Sequence, residues 1–300
     1  MSYQLELRHL RYFLAVAEDL HFRKAAERLY ISQPGLSRQI KEMEEGLGFS
    51  LFERHSRKVS LTKPGIFLQE EFKKHLKSID NSIQQAKLLN DGLLGDLKFG
   101  YVGSAMQEVI PKLLLGFREK CPDVLFSLKE MENQNQVESL LSFDLDVGFV
   151  RLDRVPKGLN IYPVLQEPFC LVLPEDHPVN PDNFENLNQL AEESFILFDP
   201  KYSPSYYEKV MQIFDDSSFS PIVTHNTIHA GSIYKLVENN FGISIVPKSL
   251  QFEHINGVKF IELKNIPQRT VLSAVWNAAN RNPVLESFLT EIKILSTSSE

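Results

Sequence analysis

Apolar positions recur every three or four residues in two consecutive blocks near the N-terminus, a pattern that predicts a pair of packed helices. In HFRKAAERLY, Phe22, Ala25, Ala26 and Leu29 share one helical face, and the two alanines are small enough for a second helix to approach closely. The next block opens at Ser32, a side chain suited to capping a helix, with Pro34 in the first turn, where a missing N–H costs nothing. Leu36, Ile40 and Met43 continue its apolar face, so Gln33, Ser37, Arg38 and Lys41 point outward. The period then changes in LFERHSRKVSLT. Val59 and Leu61 alternate with polar neighbours, as a half-buried hairpin strand would, and Arg54, His55, Arg57 and Lys58 cluster near its tip.

From Ile66 to Asn90 there is neither proline nor glycine, and Leu68, Phe72, Leu76, Ile79, Ile83 and Ala86 form a heptad-like seam. Such a stripe predicts a long helix that pairs with a second copy, or one that packs on its own domain, since core-facing helices show similar spacing. Asp91-Gly92 through Gly95-Asp96 breaks the pattern and marks a hinge. Beyond it, strand-like runs at 97–102, 124–131, 144–150, 169–174, 195–198 and 242–247 alternate with helix-like ones such as MQEVIPKLLLGFREK and SIYKLVENN. That alternation predicts an α/β fold.

The outward face of the second helix has the chemistry of a duplex reader. Gln bonds bidentately to adenine, Arg to guanine or phosphate, and Ser to either, from a helix whose first turn enters the major groove; the basic hairpin tip suits phosphate. The chain's net charge of −7 would argue against nucleic acid if it were spread evenly, but residues 1–65 hold 11 Lys and Arg against 8 Asp and Glu. The basic share therefore sits on this module, and the acidic remainder discourages non-specific phosphate binding elsewhere. A length of 300 residues allows two or three domains.

Glu6, Arg8, Arg11 and Glu18 interrupt the first helix, which argues against a secretory signal or membrane span and for a cytoplasmic protein. Cys121 and Cys170 read as buried single thiols rather than a reactive pair. No nucleophile elbow, phosphate-binding glycine loop or zinc-protease helix is found, so an enzyme is not expected. His225 and His229, with His254 far away, are too few for a metal site and read better as cleft-lining donors.

From Leu7 to Gly65 the chain resembles the winged helix-turn-helix of LysR-type transcriptional regulators, on the signature AAERLYISQPGLSRQI followed at family spacing by E-x-x-LG-x-x-LFER. The resemblance implies a winged helix-turn-helix at 1–65, a linker helix at 66–91 that pairs through Leu68, Phe72, Leu76, Ile79 and Ile83, and an effector domain at 92–300. That domain would be two-lobed and α/β, like type 2 periplasmic binding proteins, with one lobe at 95–166 and 268–300 and the other at 167–267. DNA contacts fall to Ser32, Gln33, Pro34, Ser37, Arg38, Lys41, Arg54, Arg57 and Lys58.

Ligands of open α/β lobes lie beyond strand ends, against helix N-termini. Ser104 with Gln107, and Asn133 with Gln136, read as capping boxes, while Ser203 and Thr227 precede two further helices. Four capped helix starts facing one cleft would favour an anion, unless each residue merely caps its own helix. Arg151 ends the strand DLDVGFV and would either clamp a carboxylate or pair with Asp153 or Glu130. GYVGSA, KEMENQNQVESL and DVGFVRL also resemble the branch that controls aromatic-compound catabolism and responds to acids such as benzoate and muconate. This places Ser104, Asn133, Arg151, the Pro200–Ser203 loop with Tyr202, and Ile228 around the effector. The expected partners are operator DNA, a small organic acid, further copies of the chain as dimer and tetramer, and RNA polymerase, with no cofactor, metal or membrane. A solute-binding protein and a ligand-independent architectural DNA binder are the competing readings.

Overall fold

The computed structural model describes residues 5–55, 58–90, 95–251 and 256–297 and divides into two compact units, Met1–Gln84 and Gln85–Glu300. In the first unit, helices α1 (Leu7–Asp19), α2 (Phe22–Arg28) and α3 (Gln33–Leu47) precede a hairpin of β1 (Phe52–His55) and β2 (Lys58–Leu61), and then the long helix α4 (Lys63–Asn90). The α2–α3 pair forms where the alanines predict it. Ala25 and Ala26 are buried and share one core with Phe13, Leu36, Ile40 and Met43. Ser32 Oγ accepts the Gly35 N–H at 3.3 Å, which supplies the cap that α3 needs at its first turn.

The hairpin is antiparallel, from Phe52 opposite Leu61 to His55 opposite Lys58. It is held to the helices by the Phe52 ring, whose centroid lies 5.5 Å from that of Phe13 and 5.7 Å from that of Phe22. Glu44 of α3 reinforces the attachment, its Oε1 accepting the N–H groups of Leu51 at 2.7 Å and Phe52 at 3.0 Å. Thr62 Oγ1 accepts the Gly65 N–H at 3.1 Å, and the start of α4 passes close to the hairpin base. A Cβ at Gly65 would stand 2.2 Å from the Leu51 carbonyl oxygen. Gly65→Ala is therefore expected to destabilise this unit by about 1–3 kcal/mol, the usual cost of overpacking. The check is the denaturation midpoint of its transition, and an unchanged midpoint would show that α4 does not enter against Leu51.

The seam on α4 divides in two. Phe72 is buried edge-on to Phe13, with centroids 5.8 Å apart, and Leu68 and Leu76 pack on the same core. Of the two readings of this stripe, packing on its own unit accounts for Phe72 and for part of the Leu68 and Leu76 side chains. Ile79 and Ile83, one and two turns further on, are 36% and 50% exposed.

The second unit has two lobes, each built around a sheet. The first sheet runs in the order β4 (Val124–Glu130), β3 (Gly95–Tyr101), β5 (Val147–Val150), β12 (Thr270–Asn277), β6 (Leu159–Glu167). β3 is parallel to β4 and β5, whereas β12 is antiparallel to β5 and β6. On one face α5 (Val109–Lys120) and α9 (Leu285–Thr297) bring Phe117 and Phe288 against Phe99 and Phe149; on the other, α6 (Asn133–Leu141) brings Val137 and Leu140 against Val150 and Val275.

The second sheet places β7 (Phe169–Pro174) between β10 (Ser244–Pro247) and β11 (Val258–Glu262), all antiparallel. A parallel pair, β8 (Ser194–Phe198) and β9 (Ile222–Thr227), adds to it through a bridge between Phe195 and Ile243. α7 (Pro204–Asp216) and α8 (Ala230–Glu238) contribute Tyr206, Phe214, Ile233 and Val237 to its core. Of the expected hinge, residues 91–94 lie outside the described residues.

The six strand-like runs all form strands. Four others, β6, β9, β11 and β12, were not expected. β6 carries Pro163 at the sheet edge, the position a strand proline can hold, and the face of β9 is largely exposed and polar, so neither shows the apolar run of a buried strand. Among the described residues no helix is long and apolar enough to cross a membrane.

Candidate functional site

In the first unit the outward residues of α3 form a polar strip. Gln33 Nε2 donates to Ser37 Oγ at 2.9 Å, Arg38 Nε meets Glu42 Oε1 at 2.8 Å, and Lys41 Nζ lies 3.5 Å from Glu45. The Arg38 side chain is 80% exposed, and its bond to Glu42 raises the guanidinium pKa further, so it is always charged. Both acids lie one turn C-terminal of their cations, which leaves the first turn, with Ser32, Gln33 and Pro34, free of acidic side chains. This is the arrangement a helix needs to present its positive end and hydrogen-bonding side chains to a polyanion. Arg57 and the side chains of Arg54 and Lys58 lie outside the described residues.

The second unit contains a cavity of about 470 Å³. Tyr101, Ser104, Glu130 and Arg151 line it from the first lobe, and Phe198, Tyr202, Ser203, Tyr206, Ile228 and Tyr234 from the second. Of the residues expected around an effector, Ser104, Arg151, Tyr202, Ser203 and Ile228 come together here. Pro200 is exposed and does not line the cavity. Asn133 stands behind the wall, 2% exposed, accepting the Arg151 backbone N–H at 2.9 Å and donating Nδ2 to the Tyr202 carbonyl at 3.2 Å. It ties the lobes together rather than offering a group to a ligand.

The expected capping boxes do not form. Ser104 lies within a 3₁₀ turn, Gly103–Met106, and its hydroxyl accepts from Arg151. Gln136 donates to the carbonyls of Met131 and Phe149. α7 starts after Ser203, whose side chain makes no cap, and α8 starts after His229, whose N–H reaches Thr227 Oγ1 at 3.4 Å. Ser104 and Gln136 are buried and their side chains are taken by tertiary partners, Arg151 and the Met131 and Phe149 carbonyls, instead of a helix end.

Arg151 is 5% exposed, and its guanidinium is engaged on three sides. Nε donates to Ser104 Oγ at 2.9 Å and one terminal nitrogen to Thr270 Oγ1 at 2.9 Å; the other meets Glu167 Oε1 at 2.5 Å and Ser249 Oγ at 3.3 Å. Its ion-pair partner is thus neither Asp153 nor Glu130. Asp153 instead receives Lys209 at 2.9 Å. Glu167, 4% exposed, also accepts the hydroxyl of Ser249 at 2.9 Å and its backbone N–H. A buried charge needs a counter-charge and a full set of hydrogen bonds, and these two residues supply both to each other.

The remaining wall is aromatic. Burial pushes the phenols of Tyr206 and Tyr234 far up, so both stay neutral, and their hydroxyls are used by the carbonyls of Ile245 and Leu250. Tyr202 is also raised, first by burial and then by the Glu130 charge. Sequence reasoning missed Tyr101, Phe198, Tyr206 and Tyr234 because an aromatic that lines a cavity and one that fills a core occupy the same face of their element. His229 lines the cavity while His225 does not, and His254 lies outside the described residues. Cys121 and Cys170 are free; Cys170 is fully buried and its thiol is pushed up to about 12, chiefly by burial, so it carries essentially no thiolate at neutral pH.

Comparison with known proteins agrees with this division. Residues 7–66 match the family described as bacterial regulatory helix-turn-helix protein, lysR family, and residues 90–294 match the LysR substrate binding domain. The chain is 34% identical over 273 residues to the uncharacterized HTH-type transcriptional regulator YnfL of Escherichia coli (strain K12), covering 91% of each. It is 33% identical over 261 residues to the HTH-type transcriptional regulator BenM of Acinetobacter baylyi (strain ATCC 33305 / BD413 / ADP1), covering 86% of each. Among solved structures it is similar to full-length CbnR complexed with its target DNA, with a TM-score of 0.69 and 27% identity over 97% of this chain and 100% of that one.

Proposed function

Because the chain belongs to the LysR family of DNA-binding transcriptional regulators, we propose that it binds a partly palindromic operator as a homo-oligomer and is switched by a small effector held in the cavity of its second unit. The exposed polar strip of α3 supports the first part: Gln33, Ser37, Arg38 and Lys41 share one accessible face next to a capped first turn. A helix so placed reads base edges with its N-terminal residues while basic hairpin side chains hold phosphate. Such a regulator acts in the cytoplasm, where it meets RNA polymerase at the promoter.

Pairing is assigned to the second half of the α4 seam. Ile79 and Ile83 are exposed apolar side chains at heptad spacing on a 28-residue helix, and pairing with a second copy removes them from water. Two such dimers would form the tetramer. Ile83→Lys is accordingly expected to reduce the oligomer and to weaken operator binding, while leaving the core around Phe13 and Phe72 intact. Sedimentation together with footprinting on the operator checks both. Protection of two half-sites separated by whole helical turns, reduced to weak single half-site binding in the variant, is the expected result; full protection by a monomeric variant would overturn the pairing.

The cavity supports the effector part, because it combines a largely apolar wall with a few convergent polar groups. Effector binding acts on DNA through a coupling free energy, which requires that the ligand prefer one arrangement of the lobes. Asn133, through the Tyr202 carbonyl, and Ser249, through Arg151, carry contacts that bridge the lobes and that such a change would rearrange. The organic acid implied by resemblance would find hydroxyls at Ser104 and Ser203, but not an unpaired Arg151.

A further inference from the structure

We infer that the effector of this cavity carries a positively charged amine rather than a carboxylate, an inference that rests on the reading of the cavity as the effector site. Arg151 is the only Lys or Arg among the described residues that line the cavity, and Glu167 matches its charge while Ser104, Thr270 and Ser249 take its hydrogen bonds. A carboxylate binding to Arg151 would have to displace Glu167, itself 4% exposed, and leave that carboxylate buried without its partner. An anion finds no compensating charge here.

Glu130 tips the balance further. It lines the cavity at the end of β4; among the described residues no Lys or Arg forms an ion pair with it, and His229 Nδ1 is 3.8 Å away, beyond hydrogen-bonding distance. The Glu130 charge reaches two phenols, Tyr101 and Tyr202, and the charge of Glu132 also reaches Tyr202. Glu167, behind the wall, thus cancels the Arg151 charge, and Glu130 adds a carboxylate to the lining itself. The positive end of α8 would favour an anion, yet His229 stands at the start of that helix and Glu130 already lies beside it. The same wall holds Tyr101, Phe198, Tyr202, Tyr206 and Tyr234, whose ring faces attract cations. An ammonium would sit between the Glu130 carboxylate and the tyrosines, with its apolar body against Met106, Ile228 and Leu250.

The test uses the full chain and three probes of one shape, benzylamine, benzyl alcohol and benzoate, with binding measured by thermal shift and calorimetry at neutral pH. Benzylamine is expected to bind about ten-fold more tightly than the alcohol and to lose that advantage in Glu130→Gln, in which the alcohol binds as before. Tighter binding of benzoate, no binding of benzylamine, or an amine preference that survives Glu130→Gln overturns the amine assignment and leaves the cavity reading standing. Gly231 lines the cavity and a Cβ there meets nothing within 4 Å, so Gly231→Phe fills the space without a backbone clash. Binding of any probe that is unaffected by Gly231→Phe places the ligand elsewhere and overturns both.

Discussion

Glu167→Ala is expected to lower the stability of the unit Gln85–Glu300 by about 3–5 kcal/mol, the cost typical of leaving one member of a buried ion pair without its partner. The magnitude follows from what remains. Arg151 keeps Ser104 and Thr270, but its charge is 5% exposed and has lost the one carboxylate it meets among the described residues, and Ser249 loses the acceptor for both its hydroxyl and its N–H. Glu167→Gln retains oxygen and shape and should cost less, since a carbonyl still accepts from Arg151. The double replacement Arg151→Met with Glu167→Leu should recover much of the loss, because removing both charges also removes both desolvation penalties. Urea denaturation of the full chain, following the transition of this unit, measures all three. A loss below about 1 kcal/mol in Glu167→Ala, the level of an exposed pair, would show that the Arg151 charge is compensated elsewhere.

Arg38→Ala should have the largest effect on DNA binding. A bidentate arginine contact to a base is worth about 1–3 kcal/mol, and a paired regulator makes the contact once per half-site. Operator affinity is therefore expected to fall roughly 10- to 100-fold per half-site, with a relaxed preference at the contacted base pair. If Arg38 instead meets phosphate, binding weakens uniformly across sequences and the salt slope drops by about one. Folding should be unaffected, because the side chain is 80% exposed and its bond to Glu42 is an ordinary pair on the helix surface. Probe binding in the cavity should likewise persist. Retardation assays with the operator and single-base variants, at two salt concentrations, separate the outcomes; unchanged affinity at both would remove Arg38 from the interface.

These two residues show how differently sequence and tertiary structure contribute. The outward placement of Arg38 was legible because it rests on local rules: Ser32 caps the helix, Ala25 and Ala26 set its distance from α2, and the apolar positions Leu36, Ile40 and Met43 determine which side chains point outward. Each rule acts within a few residues, and the helix obeys them whatever the rest of the chain does. Strands such as Phe169–Pro174 were legible for the same reason, whereas the edge strand with Pro163, the polar strand Ile222–Thr227 and the strands Val258–Glu262 and Thr270–Asn277 were not.

Arg151 was legible as a residue of the cleft wall, with a carboxylate clamp and a pair to Asp153 or Glu130 both expected, and the structure pairs it with Glu167 instead. Its partners stand 16, 47, 98 and 119 positions away along the chain, and nothing in its own neighbourhood distinguishes Glu167 from Asp153 or Glu130 as the counter-charge. The α4 seam divided for a comparable reason, since a heptad stripe specifies an apolar face but not what covers it, and the opening beside Phe13 decided that Phe72 belongs to its own unit. By itself the sequence determined the helical module, its outward face, the alternating α/β architecture and the family. Tertiary structure alone decided which buried charge meets which, which aromatics line a cavity rather than fill a core, and hence the sign of charge the cavity prefers. Periodicity encodes burial, whereas pairing of buried charges depends on where the fold brings distant strand ends together.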